Sequence, residues 1–139
     1  MTLLLASGSK TRAQILKKAK IGFKVVDHGV DEEELKISLN ELSPKDISIR
    51  LSEIKAIKPS MKHSEDFVIG ADQVLDFNGS LINKAAHLQE AKKQLLDLSG
   101  KTHKLVTAIT IAKNGVVVWK HYDVAKITMR ELSERQIDE

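Results

Sequence analysis

The 139-residue sequence contains no cysteine. Disulfides, thiolate metal sites and cysteine nucleophiles are therefore excluded, and a reducing compartment is permitted. Aromatic residues are scarce, with three Phe, one Tyr and one Trp. A base-stacking platform for RNA or single-stranded DNA has little to build on, so no nucleic-acid partner is expected. No stretch approaches the roughly 20 apolar residues of a membrane span. The run Leu3 to Ala6 is too short for a signal sequence and follows no basic residue. No membrane association is expected, and the default location is cytoplasmic. Walker, dinucleotide-binding and nucleophile-elbow motifs are all lacking. His28, His63, His87, His103 and His121 show no metal-ligand spacing and read as surface or strand residues.

What is present is ordinary globular composition, 42% apolar and 29% charged. The length suits one domain with one core, spanning residues 1–139. The net charge of +3 would suit an anionic ligand but is too weak to argue for nucleic acid.

Leu3 to Ala6 reads as a buried strand, broken by Ser7-Gly8-Ser9. A helix follows over 12–20, with Ser9 as its N-cap and Ile15, Leu16 and Ala19 on one face. Phe23 to Val26 reads as a second strand, and 27–34 as a polar loop ending in four acids. Ser43-Pro44 starts a helix that runs to Pro59, with Ile47, Leu51, Ile54 and Ile57 recurring on one face. Phe67 to Asp72 is a buried strand extended to Phe77, and Asn78-Gly79 turns it into a return at Ser80 to Ile82. A helix over 87–98 points Ala91, Leu95 and Leu98 inward and stops at Gly100. Asn114-Gly115 joins two β-rich runs, 102–112 and 116–129, into a long hairpin. A last helix is signalled at Leu132-Ser133-Glu134.

Four features could carry chemistry. Ser7, Ser9 and Arg12 surround a strand-to-helix turn, where backbone N–H groups and the helix dipole favour an anion. An ordinary capped helix start would look the same. Asp72 sits late in a buried strand, where a carboxylate can hold a divalent cation or take a proton from water. It could equally start a turn. The acidic run Asp31 to Glu34 could supply a magnesium ligand or be a solvated cluster. Lys55 and Lys84 could clamp a phosphate as point charges, though neither stands out by spacing among so many lysines.

Taken together, these pieces resemble the Maf family of nucleotide pyrophosphatases. The resemblance begins at Leu4-Leu5-Ala6-Ser7-Gly8-Ser9-Lys10-Thr11-Arg12 and continues at Val30-Asp31-Glu32 and Lys55-Ala56. It resumes at Ile69-Gly70-Ala71-Asp72-Gln73-Val74 and at Leu98-Ser99-Gly100-Lys101-Thr102-His103. The order and spacing of these five segments follow the family along the whole chain.

The resemblance implies an elongated α/β fold of the Maf/Ham1-like (inosine-triphosphatase-like) type, with a mixed sheet, flanking helices and a central cleft. It also implies a further C-terminal segment, so this fold is expected with its C-terminal part missing. The implied reaction is hydrolysis of a nucleoside triphosphate to a monophosphate and pyrophosphate with Mg²⁺ or Mn²⁺. Modified nucleotides are the implied substrates, and a link to septum formation comes with the family. By the same resemblance, Ser7, Arg12, Lys55, Gln73 and Lys84 would bind substrate. Glu32 and Asp72 would place the metal, and Asp72 would be the catalytic base. Gln73 is similar to the subgroup acting on 7-methyl-GTP rather than to the one with Thr there, which prefers dTTP and UTP. A homodimer is allowed. The alternative is a catalytically silent nucleotide-binding or interaction protein. Thr11 and Ala85, which stand where the family has Arg and Pro, favour that alternative.

Overall fold

The computed structural model describes residues 2–7, 9–82 and 87–131. Lys84, Ala85 and the helix expected from Leu132 lie outside the described residues. Six strands form one mixed sheet in the order β2-β1-β3-β5-β6, with β4 paired to β3. The strands are β1 (Leu3–Leu5), β2 (Lys24–Val25), β3 (Phe67–Phe77), β4 (Ser80–Ile82), β5 (Thr102–Lys113) and β6 (Val116–Thr128). The helices are α1 (Lys10–Lys18), α2 (Glu32–Ser38), α3 (Pro44–Ser60) and α4 (Leu88–Leu98). β1 runs parallel to β2 and β3, while β3, β5 and β6 form an antiparallel meander. Both Asn-Gly pairs turn as the hairpin reading requires, with Asn78, Gly79, Asn114 and Gly115 all at positive φ. Among the described residues, no helix is long and apolar enough to cross a membrane.

α3 lies across β3 and β5 and closes the core with Leu51, Val68 and Val106. Its buried face differs from the apolar pattern in the sequence. Ile47 and Leu51 are buried, but Ile54 and Ile57 are only half-buried. The row that meets the sheet is Ser48, Ser52, Ala56 and Ser60, spaced four apart and all buried. Residues four apart stack on one helix face, and small ones let the helix sit close to its neighbour. Gly70 of β3 completes the fit, because a Cβ there would lie 2.5 Å from both the Ala56 nitrogen and the Ser52 carbonyl oxygen.

A buried hydroxyl must find a partner. Ser48 donates to the Asp72 carbonyl at 3.1 Å, Ser52 and Thr110 share a hydrogen bond at 2.8 Å, and Ser60 accepts from the Gly115 amide at 2.9 Å. These bonds fix where α3 sits along the strands.

Two further readings are corrected. The expected polar loop over 27–34 is interrupted, because Asp31 caps the Glu34 amide and starts α2 at Glu32. Three acids in a first turn are favoured by the helix dipole, so the acidic run became a helix start. On α4, Leu98 is buried, but Leu95 is 38% exposed. α1 begins after its Ser9 cap as expected, yet Ile15 on its apolar face is 60% exposed.

Candidate active site

Three of the predicted site residues converge. Lys55 is carried by the buried face of α3, and its ammonium reaches Asp72 Oδ1 at 3.0 Å and Glu32 Oε1 at 2.5 Å. The Ala71 carbonyl is a further acceptor at 3.4 Å. Lys55 and Asp72 are both about 5% exposed, whereas Glu32 stands at the mouth. Two carboxylates thus share one ammonium, leaving an excess negative charge in a poorly solvated place.

The protonation behaviour follows from that arithmetic. Burial pushes the Asp72 carboxyl above the ordinary aspartate range, and the charge and hydrogen bond of Lys55 only partly offset it. At Glu32 burial also pushes upward, but the hydrogen bond and charge of Lys55 outweigh it and hold the carboxyl below its usual range. Asp72 Oδ2 is buried with no hydrogen-bond partner among the described residues. A buried acceptor left without a partner calls for an explanation such as a catalytic role or a bound ion.

Ser7 and Arg12 form a second group. Ser9 caps α1 by accepting from the Arg12 amide at 3.2 Å, and the Arg12 guanidinium donates to Ser7 Oγ at 2.9 Å. The Ala6 amide donates to the Ile69 carbonyl at 2.9 Å, so β1 ends beside the stretch of β3 that leads into Asp72. Both groups therefore lie towards the same end of the parallel β1–β3 pair.

Gln73 behaves differently. Successive strand residues point to opposite faces. Asp72 turns towards α3, while Gln73 turns away and donates to Thr107 Oγ1 at 3.2 Å on the other face. The structure does not bring Gln73 together with Lys55 and Glu32.

Lys36 was missed in the sequence. It sits four residues after Glu32 on α2, and its charge lowers the carboxyls of both Glu32 and Asp72. The i, i+4 spacing of Glu32 and Lys36 is the available signal, and it has meaning only once residues 32–38 form a helix. Lys36 and Glu32 also line a cavity of about 850 Å³ between α2 and the β3–β4 turn.

The sequence matches the Maf-like protein family over residues 2–139. The chain belongs to the Maf family. A relative from Caulobacter vibrioides, named nucleoside triphosphate pyrophosphatase, is 44% identical over 136 residues, which cover 96% of this chain and 68% of that protein. A relative from Brucella abortus, named 7-methyl-GTP pyrophosphatase, is 38% identical, covering 94% of this chain and 66% of that protein. The Maf chain thus spans about two thirds of the length of these curated relatives. Among solved structures, a HAM1 protein from Coxiella burnetii superposes with a TM-score of 0.62 at 15% identity, covering 92% of this chain and 72% of that one. That likeness shows the fold, a mixed sheet with flanking helices of the Ham1 type.

Proposed function

We propose that this Maf chain is a nucleoside triphosphate pyrophosphatase, cleaving between the α and β phosphates to give a monophosphate and pyrophosphate. The observation that carries the reading is the buried Lys55–Asp72 pair with Asp72 Oδ2 left bare. Asp72 Oδ2 accepts the proton of the attacking water. The water oxygen bonds to the α phosphorus, the bond to the bridging oxygen breaks, and pyrophosphate leaves. Lys55 and Lys36 offset the negative charge that develops, as such transfers require. Arg12, steadied by Ser7 at the same end of the β1–β3 pair, binds phosphate oxygens, and Lys84 adds charge.

The carboxylates of Glu32 and Asp72, gathered on one ammonium, are an oxygen-donor pair that fits a hard divalent cation, Mg²⁺ or Mn²⁺. Glu32 and Asp72 would hold it, and when bound it would polarise a phosphate oxygen and acidify a water. Gln73 is left out of the phosphate ligands because it faces Thr107. The cysteine-free composition suits work in the cytoplasm. β6 ends the sheet order and leaves an edge on which a homodimer could form.

The test is hydrolysis in ¹⁸O-labelled water with Mg²⁺ or Mn²⁺ and a panel of nucleoside triphosphates. Label in the monophosphate is expected, because water attacks the α phosphorus. Label in pyrophosphate or inorganic phosphate, or nucleotide binding with no turnover, contradicts the proposal; the latter favours a silent binding protein.

A further inference from the structure

Residues 26–31 join β2 to α2 and deliver Glu32 to Lys55. Val26 anchors the start of this segment. It packs on the core of Leu4, Ala6 and Val68, and its amide donates to the Leu5 carbonyl at 3.0 Å. The Gly29 amide donates to Asp27 Oδ1 at 2.9 Å, and Gly29 itself has φ 66°. The Val30 amide donates to His28 Nδ1 at 2.9 Å. The Gly29 carbonyl accepts from the ammonium of Lys58, which lies one turn beyond Lys55 on α3. Side chains that bond the backbone two residues on hold a turn in one shape. The path to Glu32 is therefore fixed by the chain's own groups.

His28 does more than close this turn. An imidazole nitrogen that accepts a hydrogen bond carries no proton, so in the neutral ring the other nitrogen carries it. Here the other nitrogen is Nε2, and it stands 3.9 Å from Glu32 Oε1. That separation is beyond a hydrogen bond, so the contact is electrostatic, with the positive end of N–H towards the carboxylate. The same Oε1 takes the Lys55 ammonium at 2.5 Å. Both positive partners fall on one oxygen, which leaves the second oxygen of Glu32 for an incoming cation. The tautomer also keeps His28 from ligating a metal through Nε2, because that nitrogen holds the proton.

We propose that His28 is a positioning residue for the cation site. Its Nε2–H holds Glu32 Oε1 towards Lys55 and so presents the other carboxylate oxygen to Mg²⁺ or Mn²⁺. His28 itself touches neither the metal nor the nucleotide. The inference rests on the cation site proposed above.

The test measures the Mn²⁺ Kd by electron paramagnetic resonance without nucleotide, with Tm recorded on the same samples. His28→Asn keeps a side-chain oxygen for the Val30 amide and removes the Nε2–H. His28→Gln does the opposite, placing an amide N–H where Nε2 was and leaving the Val30 amide unpaired. His28→Asn should weaken Mn²⁺ binding about tenfold with Tm close to wild type, the lower end for loss of an outer partner of a metal ligand. His28→Gln should bind Mn²⁺ more tightly than His28→Asn yet melt at a lower temperature. Pyrophosphate release by His28→Asn should recover as Mn²⁺ is raised. A His28→Asn protein that binds Mn²⁺ like wild type, or a His28→Gln protein that binds it no better than His28→Asn, overturns the assignment. Wild type that binds no Mn²⁺ overturns the cation site and this inference together. Mn²⁺ binding that depends on His28, without any pyrophosphate release from wild type, sinks the reaction and leaves the positioning role standing.

Discussion

The two halves of the proposed site are built in opposite ways. Lys55 and Asp72 stand on a helix and a strand that share the core, and Gly70, Ser48 and Ser52 fix their spacing. Arg12 stands on α1, whose apolar Ile15 is mostly exposed, and it is steadied by a cap and by Ser7. A group that moves a proton must be held to within a fraction of an ångström, whereas a phosphate clamp works as a charge and tolerates looseness. The core-built half suits chemistry, and the peripheral half suits binding.

That contrast breaks hardest at Gly70. A methyl group there meets the backbone of α3, which cannot rotate away. Gly70→Ala should cost about 3 kcal/mol, at the upper end for overpacked cores, and show as a lowered Tm. The surviving folded protein should release pyrophosphate far more slowly, because α3 no longer presents Lys55 to Asp72. An unchanged Tm would mean that the helix is not seated so closely.

Next comes Lys55→Met. Rates should fall on the order of 10²-fold or more, as for loss of one charge-stabilising group. The pH profile sharpens the reading. A base works deprotonated, so activity should fall as pH drops through the Asp72 value, which lies above an ordinary aspartate near 3.8. Lys55 opposes that rise, so its removal should move the acid limb of kcat/KM to still higher pH. An acid limb that stays in place would separate Lys55 from the base.

Arg12→Ala should divide the two halves. KM should rise roughly tenfold, in line with loss of one charge-assisted contact, with kcat and Tm little changed. A large fall in Tm would make Arg12 a structural residue rather than a phosphate clamp.

The smallest effect is expected at the hydroxyl pair. Ser52→Ala should destabilise by about 1–2 kcal/mol, because Thr110 is left buried with its hydroxyl unpaired. Replacing both, with Thr110→Val, should cost less than the sum of the singles in a denaturation cycle.

The succession of strands along the chain and the two Asn-Gly hairpins were legible in the sequence because apolar patterning and turn chemistry are local. So were the Ser9 and Ser43 caps, each of which accepts the amide three residues on. The seated face of α3 was not. Periodicity weighs isoleucines, but close approach selected Ser48, Ser52 and Ala56, and only the position of Gly70 across the sheet explains that choice. Lys55 and Asp72 were legible as motif residues, yet their contact across 17 positions required the fold. Lys36 and the cavity were not legible, since the polar-loop reading of 27–34 hides the start of α2 and leaves its later residues unassigned.

The most direct measurement is kcat and KM for pyrophosphate release by Asp72→Asn, with Tm recorded on the same sample. The carboxamide keeps an oxygen for Lys55 but cannot take a proton. The account predicts a fall in kcat on the order of 10³-fold, in the range for a lost general base, with KM and Tm close to wild type. A variant that turns over as fast as wild type would show that Asp72 is not the reacting group.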